Sequence, residues 1–164
     1  MAGGDALDTQ SGLILVDTNV FVIDLRYSRD QHYAANRRFL RKLAQAGRGA
    51  TTIFNVLEVC GILSFNLNSQ QLQELFHHFS QKYRVQVLPF ADLDRSLPVL
   101  TGADLFGYLK QKASFGDALL MATIATHVPD ATHFISWDTA HFRGKLSISV
   151  LTPNEFLRSS TESG

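Results

Sequence analysis

The sequence predicts an α/β protein, an open parallel sheet of about five strands with helices packed on both faces. Short continuous apolar runs, Leu13-Ile14-Leu15-Val16 above all, fit strands buried on both sides. Longer segments with apolar residues at helical spacing separate these runs. Such alternation implies right-handed crossovers and strands that all run the same way.

The opening residues 1–12 are small and polar and read as a flexible tail, after which Leu13–Val16 forms the first strand. Residues 30–47 carry a helical pattern, with Phe39, Leu40 and Leu43 apolar, Arg37, Arg38, Arg41 and Lys42 polar, and Gly47 as the stop. Residues 50–53 form a second strand that leads into a helix over 54–65. A further helix spans 69–83, with Ser69 at its cap. Val85, Val87 and Leu88 mark the third strand, closed by Pro89. Residues 94–112 are helical in pattern but broken at Pro98 or Gly102. A strong helix follows over 114–127, carried by Ala118, Leu119, Met121, Ala122 and Ile124. Residues 133–136 and 146–151 are the fourth and fifth strands, and Pro153 opens a terminal helix over 154–158. No repeat or linker interrupts this series. One domain over 13–157 is expected, with a C-terminal tail at 158–164.

At 164 residues and 45% hydrophobic content, the chain suits one ordinary domain with a real core. Fifteen basic and fifteen acidic residues cancel. A nucleic-acid partner would therefore have to meet a local concentration of positive charge, with modest, salt-sensitive affinity. The single cysteine, Cys60, excludes an internal disulfide and a multi-cysteine zinc site, and fits a reducing compartment. The opening residues do not read as a signal peptide, and no apolar stretch approaches the roughly 20 residues that span a bilayer. A soluble, cytoplasmic protein is expected.

In open parallel sheets, ligands bind beyond the carboxyl ends of the strands. Asp17 directly follows the first strand and Asp138 the fourth. Glu58 falls early in the helix after strand two, and Asp117 in the first turn of the helix before strand four. Helices returning against the strands start on that same edge, so these carboxylates should gather on one rim. Each has a plain structural account. Asp17 suits an Asx turn or a helix cap, and Asp138 a turn. Glu58 sits in a helix apolar nearly all round, where a basic partner would offset its burial. Ser114-Phe115-Gly116-Asp117 has the spacing of a capping box. Their conjunction points to chemistry. Two unit charges about 4 Å apart repel by roughly 4 kcal/mol at an effective dielectric of about 20. An all-oxygen set answers this with Mg²⁺ or Mn²⁺, which can activate a water and neutralise a phosphate.

These residues resemble the PIN-domain family, in particular VapC-type toxins. The matching stretches are Ile14-Leu15-Val16-Asp17-Thr18-Asn19-Val20-Phe21, Asn55-Val56-Leu57-Glu58-Val59, Phe115-Gly116-Asp117-Ala118-Leu119-Leu120 and Ile135-Ser136-Trp137-Asp138-Thr139-Ala140-His141-Phe142. The resemblance implies a three-layer Rossmann-like fold and a catalytic metal site of Asp17, Glu58, Asp117 and Asp138 holding Mg²⁺ or Mn²⁺. It implies that Asn19 and Ser136 support those ligands or the substrate through hydrogen bonds. It further implies hydrolysis of RNA phosphodiesters, a cognate antitoxin and a homodimer. Asn55 and Ser136 stand where Ser or Thr is commoner, and residues 89–113 match nothing distinctive. A housekeeping RNA-processing nuclease and a non-catalytic interaction module are the alternatives. A haloacid-dehalogenase-type phosphatase is disfavoured, because its D-x-D pattern meets Asn19 two residues after Asp17.

Arg143 and Lys145 follow the last acidic motif and are expected to contact substrate. The basic residues of the 30–47 helix, with Arg48, suit either a solvated face or a phosphate contact. Trp137 suits base stacking or packing, Cys60 packing, and Asp24 and Asp104 surface or capping roles.

Overall fold

A computed structural model describes residues 12–162. Among them the order is β1 (Leu13–Val16), α1 (Thr18–Arg26), α2 (Tyr33–Ala46), β2 (Gly49–Thr52), α3 (Ile53–Leu63), α4 (Ser69–Tyr83) and β3 (Gln86–Leu88). There follow α5 (Gly102–Lys110), α6 (Phe115–His127), β4 (Ala131–Ile135), a 3-10 turn (Thr139–His141), β5 (Ser149–Leu151) and α7 (Pro153–Thr161). The sheet order is β3-β2-β1-β4-β5 and every neighbouring pair is parallel. The predicted α/β class and five-stranded parallel sheet are therefore the ones found.

The strand period explains the layering. Ile14 and Val16 of β1 face a core built on α1–α4 and α7, while Leu15 faces a second core built on α6. All three are essentially inaccessible, as a strand covered on both faces requires. The larger core is aromatic, with Phe21 meeting Phe79 edge-on at a centroid distance of 4.8 Å. Chain order reverses direction across the sheet between β1 and β4, the switch point where open α/β sheets leave a crevice.

Several boundaries move. The helix α1 directly after Asp17 has no counterpart in the predicted elements. Its Val20-Phe21-Val22-Ile23 run is buried nearly throughout, so periodicity gave no polar face to recognise. The cap of α4 is Asn68, whose side chain accepts from Gln71 N–H in a full capping box, and Ser69 lies inside the helix. Only Gly102–Lys110 of the 94–112 stretch is helical, started by a capping box between Thr101 and Asp104. Helix α7 runs on to Thr161, so the expected C-terminal tail at 158–164 begins too early. The predicted N-terminal tail lies outside the described residues except for Gly12, whose carbonyl accepts from Arg48. Among the described residues no helix is long and apolar enough to cross a membrane.

Candidate metal centre

Asp17 is the buried anchor of the rim. It follows β1 at the switch point, and its extended backbone makes it the N-cap of α1, with Oδ1 accepting from Thr18 N–H at 2.8 Å. Oδ1 also accepts from Asn55 Nδ2 at 3.3 Å, and Oδ2 from the Ser136 hydroxyl at 2.7 Å. The capping role and a place in the site thus coexist. Burial pushes the Asp17 carboxyl up to about 6, with the Glu58 and Asp117 charges adding to the rise and the Ser136 and Thr18 hydrogen bonds opposing it.

Glu58 departs from the expectation of a buried acid. Helix α3 buries Ile53, Val56, Val59, Cys60 and Leu63 but leaves Glu58 on its exposed side, toward the rim. Among the described residues no Lys, Arg or His lies within ion-pair distance of it. Local desolvation and the Asp117 charge raise its pKa, and a hydrogen bond with the Thr18 side chain offsets part of that rise. The Thr18 hydroxyl also accepts from Asn55 Nδ2 at 3.0 Å, so Asn55 reaches both acids' supports. Asn55 is itself fixed by the capping box it forms with Thr52 at the head of α3.

Asp117 makes half of the capping box its spacing predicts. Its N–H donates to Ser114 Oγ at 3.2 Å, while its carboxylate Oδ2 lies 3.3 Å from His141 Nδ1. Asp138 is exposed, at the start of the 3-10 turn, and makes no side-chain cap there. Its N–H donates to Ser136 Oγ at 3.0 Å, and its Oδ2 meets Asn19 Nδ2 at 3.5 Å. Asn19 Nδ2 also reaches Ser136 Oγ at 3.1 Å, and Asn19 Oδ1 accepts from Trp137 N–H at 3.2 Å. The Ser136 hydroxyl therefore joins Asp17, Asn19 and Asp138.

The donor set is chemically suited to a hard divalent cation: four carboxylates backed by hydroxyls and amides, without thiolate. The raised pKa of Asp17 comes first from burial, and the smaller contributions of the Glu58 and Asp117 charges are what a cation would offset. The arrangement is open. Among the described residues no three His, Cys, Asp or Glu side chains lie close enough together to hold an ion as they stand.

Of the other predicted residues, Arg143 is committed elsewhere. Its Nη2 donates to both carboxylate oxygens of Glu155, at 2.7 and 2.8 Å, and its Nε to Val150 O at 3.1 Å. In this arrangement Arg143 ties the loop before β5 to α7. Lys145 Nζ donates to His141 O at 3.1 Å, close to the site. Asp104 completes the capping box of α5 by accepting from Thr101 N–H, and Asp24 accepts from Tyr83 OH at 2.8 Å. Cys60 is core packing. Thr18, Asn55 and His141 were missed as site residues. All three lie inside the recognised motifs, and position relative to the acids was the available signal.

Fold and rim together define a class: a three-layer, Rossmann-like α/β protein with a buried carboxylate, Asp17, at its switch point and the Glu58 and Asp117 charges acting on it. Two solved structures share the fold. FitAcB from Neisseria gonorrhoeae is 21% identical, with a TM-score of 0.56 over 86% of this chain and 98% of that one. FitAB bound to an IR36 DNA fragment is 19% identical, with a TM-score of 0.55 over 86% of this chain and 95% of that one. The chain's resemblance to PIN-domain proteins is thus matched at the level of the fold. No family model matches the sequence, and no curated protein does.

Proposed function

We propose that this protein is a metal-dependent endoribonuclease, acting as the toxin of a toxin–antitoxin pair. The observation that carries the reading is the buried Asp17 carboxylate, held by Ser136 and Asn55 within the field of Glu58 and Asp117. A structural cap does not need two further acids converging on it.

Asp17, Glu58, Asp117 and Asp138 would hold Mg²⁺ or Mn²⁺, which when bound supplies charge to the scissile phosphate and lowers the pKa of an attacking water. The chain's own part is positional. Ser136 and Asn55 fix the Asp17 carboxylate, Asn19 steadies Asp138, and His141 faces Asp117. No serine or cysteine nucleophile is called for.

The protein partner is supported by likeness to the FitAB and FitAcB assemblies. It is also supported by an apolar surface on and around α5, which buries none of its residues. Phe106 there is 60% exposed, Phe115 66% and Val99 79%. A second copy and an antitoxin are its proposed occupants, and the compartment proposed is the cytoplasm.

Cleavage of single-stranded RNA with Mg²⁺ or Mn²⁺ tests the activity, comparing wild type with Asp17→Ala and Asp117→Asn. Loss of cleavage in both variants is expected. Equal cleavage by all three proteins would mean a contaminating nuclease and sink the assignment. A small neighbouring reading frame encoding a protein that silences the activity distinguishes a toxin from an RNA-processing enzyme.

A further inference from the structure

Helix α2 begins at the acidic rim and carries a basic strip that the rim does not use. Its head is joined to the residues just beyond β4. His32, at the N-cap of α2, stacks on Trp137 with ring centroids 4.0 Å apart. The Trp137 indole N–H donates to Oδ1 of the buried Asn36 at 2.9 Å. From there Tyr33, Arg37 and Arg41 follow at four-residue spacing along one face. That strip is about 12 Å long at the helical rise.

Two open depressions flank the helix. On the side of α4, Arg37, Arg41 and Lys82 line one of about 190 Å³ together with Tyr83 and Asp24. Asp24 is the only acid lining it, and it is already engaged by the Tyr83 hydroxyl and by Arg37 at 3.8 Å. Neither Arg41 nor Lys82 forms an ion pair among the described residues. On the side of α7, a depression of about 370 Å³ is lined by Arg38 and Arg158 and by no acid.

The whole chain is neutral, so cations gathered around one helix with a single, committed carboxylate make a local positive field. Such a field tracks a phosphate backbone, and a stacked aromatic pair beside it offers a base a flat contact. We propose that this face of α2 is the docking path for single-stranded RNA leaving the acidic rim. Backbone phosphates lie along Arg37, Arg41 and Lys82, and the His32–Trp137 stack is the contact nearest the rim. The proposal rests on the nuclease reading and adds the route of its substrate.

The test is fluorescence anisotropy of a labelled single-stranded RNA titrated with the full chain in EDTA, at several salt concentrations. Arg41→Gln/Lys82→Gln is expected to bind about tenfold more weakly at low salt. It should flatten the slope of log affinity against log salt by about 1.4, or roughly 0.7 per lost phosphate contact. Asp117→Asn should bind no more weakly than wild type. An unchanged affinity and slope in the double variant overturns the proposal. Equal displacement of the RNA by polyglutamate also overturns it, assigning the face to an acidic protein. Metal-dependent cleavage measured in parallel separates the two readings. If wild type cuts RNA and Asp117→Asn does not, a failed binding result removes the docking path alone. If neither cuts while binding still follows Arg41 and Lys82, the nuclease reading alone falls.

Discussion

The imidazole of His141 faces the carboxylate of Asp117, Nδ1 to Oδ2 at 3.3 Å, joining the 3-10 turn after β4 to the first turn of α6. The contact accounts for the half-formed cap at Ser114, since the Asp117 side chain is used across the rim. The imidazole is 62% exposed, so His141→Ala should fold normally. It should lower Mn²⁺ affinity about tenfold, as loss of a ligand's orienting partner does. Calorimetric Mn²⁺ titration of both proteins decides it, and equal affinities would leave Asp117 without need of this partner.

Asp17 should make the metal-free protein less stable as pH rises. Its carboxyl has a folded pKa of about 6 against an unfolded value of 3.8, so between them the native state binds more protons. Stability from this group therefore falls across that window and levels off above it. The shift of about two units corresponds to a cost of roughly 3 kcal/mol. Asp17→Asn cannot ionise and should gain on wild type through the window in chelator. The gain is smaller by about 1 kcal/mol for disturbing the Ser136 hydrogen bond. Melting curves across roughly pH 4 to 8 would run parallel for the two proteins if the shift were absent.

Glu58→Gln should weaken metal binding and cleavage yet leave the melting temperature in chelator unchanged or slightly raised. The substitution removes one of the charges repelling Asp17 and Asp117 and breaks no ion pair. A large fall in melting temperature would instead reveal a structural role.

Phe106→Glu should convert a dimer into a monomer in light scattering. The side chain is 60% exposed, so the variant's stability should stay within about 0.5 kcal/mol of wild type. A monomeric wild type would remove a second copy as the occupant of α5.

The parallel sheet, its five strands and most helices were legible because the apolar runs and stop residues are local signals. The missed α1 is the informative case: a helix buried on nearly every side shows no periodicity, and Asp17 alone marked its start. For the candidate site, the positions of Asp17 at the end of β1 and of Asp117 in the first turn of α6 were legible from where strands end and helices begin. How they are held was not. Ser136 and Asn19 were expected as supports from the family resemblance alone, and that Asn55 reaches Asp17 over 38 positions depends on strand neighbours that no local pattern fixes. Glu58 was misjudged from the same cause, because an apolar count along α3 cannot tell which side faces an opening. The pairing of Arg143 with Glu155 was not legible, because its partner lies in the next elements of the chain.

Both outermost strands, β3 and β5, are only three residues long. A stray chain therefore finds little backbone to zip onto at either border, which guards the fold against runaway fibre-like stacking. Any self-association then falls to side-chain contacts between faces more readily than to strand pairing.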